Sequence, residues 1–132
     1  MTMLWVFLVL VVLGIVLFLG RYFANRNIVQ YSVPEVHERL KQGEALLLDV
    51  RTDGERAANS IPGSIHIPLH LLPQSVNSLK EHGEKEFICF CRTGNRSMGA
   101  ADLLGKSGLK AASMKGGIMA WSLPKKETTS GT

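Results

Sequence analysis

Beyond its first twenty residues, two segments of this chain carry almost no polar interruption: Ala45-Leu46-Leu47-Leu48-Asp49-Val50 and Phe87-Ile88-Cys89-Phe90-Cys91. A strand with one wet face alternates apolar and polar residues. A short, nearly unbroken apolar run needs cover on both faces, the condition of a strand inside a parallel sheet. Parallel neighbours must be joined by crossovers, so helices have to lie between such strands.

The intervening segments read that way. Ser32-Val33-Pro34-Glu35 has the S-x-x-E form of a capping box with proline in the first turn, and Val33, Val36 and Leu40 follow at helical spacing up to Gly43. Thr52-Asp53-Gly54-Glu55 repeats the box and predicts a short helix to about Asn59. Ile61-Pro62-Gly63 is a turn, and Ser64 to Ile67 is a short strand stopped by Pro68. His70 to Lys80 predicts a helix with Leu72, Val76 and Leu79 inward and Gly83 past its end. Ser97 to Leu104 predicts another, with Met98, Ala101 and Leu104 on one face. Lys110 to Met114 is the last strand, and Gly116-Gly117 turns the chain into a short helix carrying Trp121 as a core anchor. The fold class is therefore α/β: a small parallel sheet with helices on both faces.

The first part of the chain is of another kind. Met3 to Leu19 holds no charge, and its length suits one crossing of a bilayer core. Trp5 and Tyr22-Phe23 stand where interfacial aromatics are expected. A cleaved signal peptide would show basic residues before the apolar run and small residues at its end, whereas this run closes on Phe18-Leu19-Gly20. The expected organisation is a transmembrane anchor and polar stem over 1–27, a domain over 28–124 and a polar tail over 125–132. Arg21 and Arg26 follow the span directly, so the positive-inside rule places the domain in the cytoplasm, single-pass.

The formal charge of +4 comes from scattered Lys and Arg. Nucleic-acid binding wants a clustered basic stripe, so no nucleic-acid partner is expected. Cys89 and Cys91 lie two residues apart on one strand, which excludes a secreted disulfide framework. A cytosolic placement keeps such thiols reduced. His37, His66, His70 and His82 have no ligand spacing with one another or with the cysteines, so neither a metal nor a cofactor is implied.

The chemistry lies where the second apolar run ends. Cys91 closes a strand and passes through Arg92-Thr93-Gly94-Asn95-Arg96 into a helix, a C-x-x-x-x-R loop. Sites in open parallel sheets form beyond the carboxyl ends of strands. The N–H groups of a helix start are unsatisfied donors, and a small loop can turn several of them inward as an anion-binding nest. A sulfur at the floor of that bowl, with Arg92 and Arg96 adding positive field, ionises more readily than a free thiol. Cys89 is read as packing.

This loop resembles the active-site loop of rhodanese-domain sulfurtransferases. Three more segments agree with that family in order. Leu48-Asp49-Val50-Arg51 resembles its D-V-R strand end, Ile61-Pro62-Gly63-Ser64-Ile65-His66-Ile67-Pro68 its I-P-G-A-x-x-I-P turn and strand, and Gly116-Gly117-Ile118-Met119-Ala120-Trp121 its closing G-G-x-x-A-W. The resemblance spans Val29 to Pro124. It departs at Asn59-Ser60, where the family often has G-H, and at Arg56, where it usually has an aromatic.

The resemblance implies that Cys91 takes a sulfane sulfur from a small anionic donor, thiosulfate or a persulfide, as a cysteine persulfide. A thiol or sulfur-carrier acceptor then receives it. Arg92 and Arg96 would attract the donor, Thr93, Gly94 and Asn95 would shape the cradle, and Asp49 and Arg51 would form part of the pocket wall. Alternatives are a non-catalytic rhodanese module that scaffolds a partner at the membrane, and a phosphatase or arsenate reductase. Phosphatases of this fold carry one more residue between cysteine and arginine, so the shorter loop here favours sulfur.

Overall fold

The structure, a computed structural model, describes residues 1–24 and 28–122 of the 132. Helix α1 (Thr2–Ala24) is followed by β1 (Gln30–Tyr31), α2 (Val33–Lys41), β2 (Ala45–Asp49), α3 (Asp53–Ala58) and β3 (Ile65–His66). Then come a 3-10 turn at Leu69–Leu71, α4 (Leu72–Leu79), a second 3-10 turn at Lys80–His82, β4 (Glu86–Phe90), α5 (Asn95–Lys106), β5 (Ala111–Met114) and α6 (Gly117–Trp121). All five strands are parallel, in the order β1-β5-β4-β2-β3. The two strands that hold the apolar runs, β2 and β4, pair over their whole length, from Ala45 opposite Glu86 to Asp49 opposite Phe90.

Side-chain alternation along these runs divides the interior into two layers. Leu48, Val50, Phe87, Cys89 and Cys91 pack against Leu72, Val76 and Leu79 of α4 and Ala100, Ala101 and Leu104 of α5. Ala45, Leu47, Ile88 and Phe90 face the other way, against Val36 of α2 and Ile118 of α6. This is the helix-covered sheet that the uninterrupted apolar runs require. Burying a side chain such as Phe87 or Leu48, both 0 % exposed, stabilises the fold by about 1.5–3 kcal/mol.

Both capping boxes form. Ser32 Oγ accepts from the Glu35 N–H while Glu35 accepts from the Ser32 N–H, and Thr52 and Glu55 do the same. Several local expectations need correction. The helix after Cys91 begins at Asn95 rather than Ser97, so Asn95 and Arg96 belong to its first turn. Its buried face is Ser97, Ala100, Ala101 and Leu104, the side turned to the sheet, and Met98 is only half-buried. Strand β1 carried no periodic signal, being two residues long, and it exists through pairing with β5. Trp121 does pack against the core layer of Val36, Phe90 and Ile118, although only partly buried, and its ring stacks on His37 with centroids 4.2 Å apart.

Helix α1 is 23 residues long, about 35 Å at 1.5 Å per residue, and its apolar residues through Leu19 are exposed all round. By length and composition it is sufficient to cross a bilayer. The polar stem expected from Arg21 is helical through Ala24, and the rest of it lies outside the described residues, as do the domain's last two residues and the tail at 125–132.

Candidate active site

Strand β4 is the middle strand of the sheet, so its C-terminal end has the segment after β2 on one side and the segment after β5 on the other. Those two segments wall in Cys91.

Cys91 itself is 1 % exposed. Its Sγ accepts a hydrogen bond from the Gly94 N–H at 3.0 Å, and the thiol donates toward Ser97 Oγ at 3.6 Å. Gly94 permits this turn because it adopts φ +111°, which a residue with a Cβ rarely does. Burial opposes ionisation of the sulfur, but the Ser97 hydroxyl and the main-chain N–H groups of Ser97, Gly94 and Thr93 outweigh it, and the thiol is held below its ordinary range. The donors are thus the first turn of α5 and the loop leading to it.

The segment after β5 sets how the loop's peptides point. The Ile118 N–H donates to the Cys91 carbonyl at 2.9 Å and the Met119 N–H to the Arg92 carbonyl at 3.2 Å. In a trans peptide the N–H points opposite to the carbonyl. Drawing the Arg92 carbonyl toward α6 therefore turns the Thr93 N–H toward the sulfur. This approach requires Gly117: at φ +59° a Cβ there would lie 2.4 Å from the Cys91 carbonyl oxygen and 2.5 Å from that of Arg92. Gly117 is thus a steric condition of the bowl.

The segment after β2 forms the other wall. Asp49 (0 % exposed) and Arg51 (2 %) make a two-point pair, Nε to Oδ1 and Nη2 to Oδ2, each at 2.9 Å. Arg51 also donates to Asn59 Oδ1 at 2.9 Å and to the Asn59 carbonyl at 2.7 Å. Arg56 adds a contact to Asp49 Oδ2 at 3.3 Å and reaches the Ser64 hydroxyl at 2.8 Å. Burial opposes the charge on Asp49, but the hydrogen bonds from Arg51 and Arg56 prevail, and its carboxyl lies below the usual range. The two departures from the family pattern are therefore structural partners: Asn59 fastens Arg51, and Arg56 meets Ser64, which stands at the alanine of I-P-G-A. Asp49 is enclosed behind this wall. Arg51, with Glu55, Ala58, Asn59, Arg92, Ile118 and Met119, lines a cleft of about 320 Å³ beside the loop.

The two loop arginines differ. Arg92 is exposed and lines the cleft. Arg96 is held by Glu55 in a two-point ion pair at 2.7 and 2.8 Å, across 41 residues of sequence. The same carboxylate closes the second capping box, and the Arg96 pair takes its pKa down to about 2. Glu55 thus offsets part of the Arg96 charge, which still acts on the Cys91 sulfur, while the hydrogen-bond donors at that sulfur are main-chain N–H groups and Ser97. Thr93 and Asn95 are exposed on the rim.

Cys89 is fully buried, and burial, followed by the nearby Cys91 sulfur, pushes its thiol pKa far up. Three residues that shape the site were given no part in it by the sequence: Glu55, Ser97 and Ser113. Ser97 could have been flagged as a hydroxyl in phase with Ala100, Ala101 and Leu104, and Ser113 as the polar member of Ala111-Ala112-Ser113-Met114. Glu55 had a sufficient explanation as a cap, and nothing local pairs it with Arg96.

Comparison with known proteins agrees with this arrangement. The description "Rhodanese-like domain" matches residues 32–123. YtwF of Bacillus subtilis, whose name describes a sulfurtransferase, is 36% identical over 96 residues, covering 72% of this chain and 91% of its own. A sulfurtransferase of Allochromatium vinosum is 33% identical over 79 residues, 59% of this chain and 72% of its own. The human single-domain sulfurtransferase TSTD1 superposes with a TM-score of 0.62 at 30% identity, covering 70% of this chain and 93% of its own. With the family match spanning most of the chain and these relatives named for sulfur transfer, the protein belongs to the rhodanese-like domain family and is a rhodanese-type sulfurtransferase.

Proposed function

We propose that the protein moves a sulfane sulfur from a small anionic donor to a thiophilic acceptor through a persulfide on Cys91, in a domain anchored to the membrane by α1. The observation that supports this reading is the Cys91 sulfur, lowered in pKa and sitting 3.0 Å from the Gly94 N–H at the floor of a bowl of main-chain donors.

With thiosulfate as donor, the Cys91 thiolate attacks the outer sulfur. The sulfur–sulfur bond of thiosulfate breaks, sulfite leaves with the electron pair, and Cys91 carries S–S⁻. The outer sulfur then bears the negative charge that the thiolate had, and the same N–H groups serve as its donors. An acceptor thiolate, or cyanide in an assay, attacks that outer sulfur; the Cys91 bond to it breaks and the thiolate returns. Two displacements with a covalent intermediate predict ping-pong kinetics. Arg92, exposed on the cleft, supplies the attraction for an anionic donor, and Asp49 and Arg51 fix the wall against which it binds. Arg21 in the last turn of α1 favours a cytoplasmic domain by the positive-inside rule.

The test is thiosulfate:cyanide turnover by the full chain in detergent micelles, beside Cys91→Ser, with mass measurement of donor-treated protein. The expected result is thiocyanate from the wild type, none from the variant, and one added sulfur on the Cys91 peptide. Wild-type protein that gains no sulfur and yields no thiocyanate would refute the reading.

A further inference from the structure

The Cys91 bowl ends in a pair of buried hydroxyls. Ser97 is 0 % exposed and Ser113, in β5, is 1 % exposed. Their oxygens are 2.7 Å apart, and the Ser113 hydroxyl meets no other partner among the described residues. Ser97 Oγ has three neighbours: Ser113 Oγ, the Gly94 carbonyl at 3.0 Å and Cys91 Sγ at 3.6 Å.

A serine hydroxyl offers one proton and two lone pairs. If Ser97 donated to Ser113, the Ser113 proton would be left without an acceptor in the core. Burial therefore fixes the direction: Ser113 donates and Ser97 accepts. The Ser97 proton is then restricted to two destinations, the Gly94 carbonyl or the sulfur. While Cys91 is a thiol, its S–H points to Ser97 Oγ and the Ser97 proton goes to Gly94. When Cys91 ionises, the sulfur becomes an acceptor and that proton turns to it. A donor feeding Ser97 Oγ also polarises its O–H, making it a stronger donor to sulfur.

We propose that Ser113 is a positioning residue for the sulfur chemistry, which by donating into Ser97 commits the Ser97 proton to the Cys91 thiolate. This rests on Cys91 being the reacting group. The charged or titratable groups around that sulfur are Arg92 in the loop, Arg96 of α5 with Glu55 of α3, Asp49 and Arg51 after β2, and Cys89 two residues back. Cys89 stands opposite Ser113 in the β4–β5 pair, but none of these groups shares a hydrogen bond or ion pair with the Ser113 hydroxyl among the described residues, so a Ser113 substitution leaves their charges in place.

The experiment is the pH dependence of iodoacetamide alkylation of Cys91 in the full chain, read by peptide mass, for wild type, Ser113→Ala, Ser113→Cys, Ser97→Ala and the Ser97→Ala/Ser113→Ala double variant. Ser113→Ala is expected to raise the apparent thiol pKa by about half a unit to one unit. Ser113→Cys, of similar size but a weaker donor, is expected to shift it the same way by less. In the Ser97→Ala background the Ser113→Ala shift should vanish. A Ser113→Ala protein that titrates like wild type, or a shift that persists undiminished without the Ser97 hydroxyl, overturns the proposal. Alkylation reads ionisation without sulfur transfer, so wild type that ionises normally yet transfers no sulfur counts against the persulfide reading alone.

Discussion

Replacing Gly117 with alanine tests whether α6 shapes the catalytic loop. The new Cβ would meet the Cys91 carbonyl oxygen at 2.4 Å, short of a tolerable contact by more than half an ångström, and the Arg92 carbonyl at 2.5 Å. Both obstacles are backbone, so the loop or α6 has to move. The position is also left-handed, φ +59°, which costs an L-residue about 1–2 kcal/mol by itself. Gly108→Ala separates the two effects: Gly108 has φ +87° and nothing within 4 Å of an added Cβ, so it carries the backbone cost alone. Displacing α6 weakens its bonds to the Cys91 and Arg92 carbonyls and lets the Thr93 N–H turn from the sulfur. Gly117→Ala is therefore expected to lose about 3–4 kcal/mol in urea unfolding, against about 1–2 for Gly108→Ala. Its thiosulfate:cyanide turnover should fall by about 100-fold, the scale set by a misplacement approaching 1 Å, while Gly108→Ala keeps wild-type turnover. Gly117→Ala with full turnover, or a loss equal in the two variants, would show that α6 does not set the loop.

Two further outcomes follow from the charged side chains. Glu55→Gln removes the carboxylate that holds Arg96. Because the folded pKa of Glu55 is depressed from 4.5 to about 2, its contribution is fully present above 4.5 and is lost as pH falls through about 2. The variant should thus be less stable than wild type by about 1 kcal/mol at pH 7, discounted for partial exposure, with the difference closing in urea melts between those two pH values. Arg92→Ala should raise KM for thiosulfate several-fold with little change in kcat, and should flatten the dependence of kcat/KM on ionic strength.

Much of the fold could be read from local chemistry. Ala45 to Val50 and Phe87 to Cys91 announced buried parallel strands, and Ser32, Glu35, Thr52 and Glu55 announced two helix starts, because caps and apolar runs are decided within a few residues. Strand β1 was not readable, since two residues carry no periodicity and its pairing with β5 spans the domain. The start of α5 is not legible to the residue, since Gly94 at φ +111° acts as the cap without any side-chain signal. Within the site, Asp49 and Arg51 could be placed at a strand end, but their Asn59 and Arg56 partners could not.

The sequence alone determined the α/β class, the separate apolar N-terminal segment, and a cysteine at the mouth of a short loop entering a helix. These depend on residue order, on hydrophobic period and on the backbone geometry of a few neighbouring positions. Only the tertiary structure decided which groups act on the sulfur. Glu55 claims Arg96 from 41 residues away, α6 turns the loop carbonyls outward, and Ser97 and Ser113 meet across the gap between a helix and a strand. Hydrogen bonds and charges act over a few ångströms of space, and no local pattern records which distant residues will occupy that space.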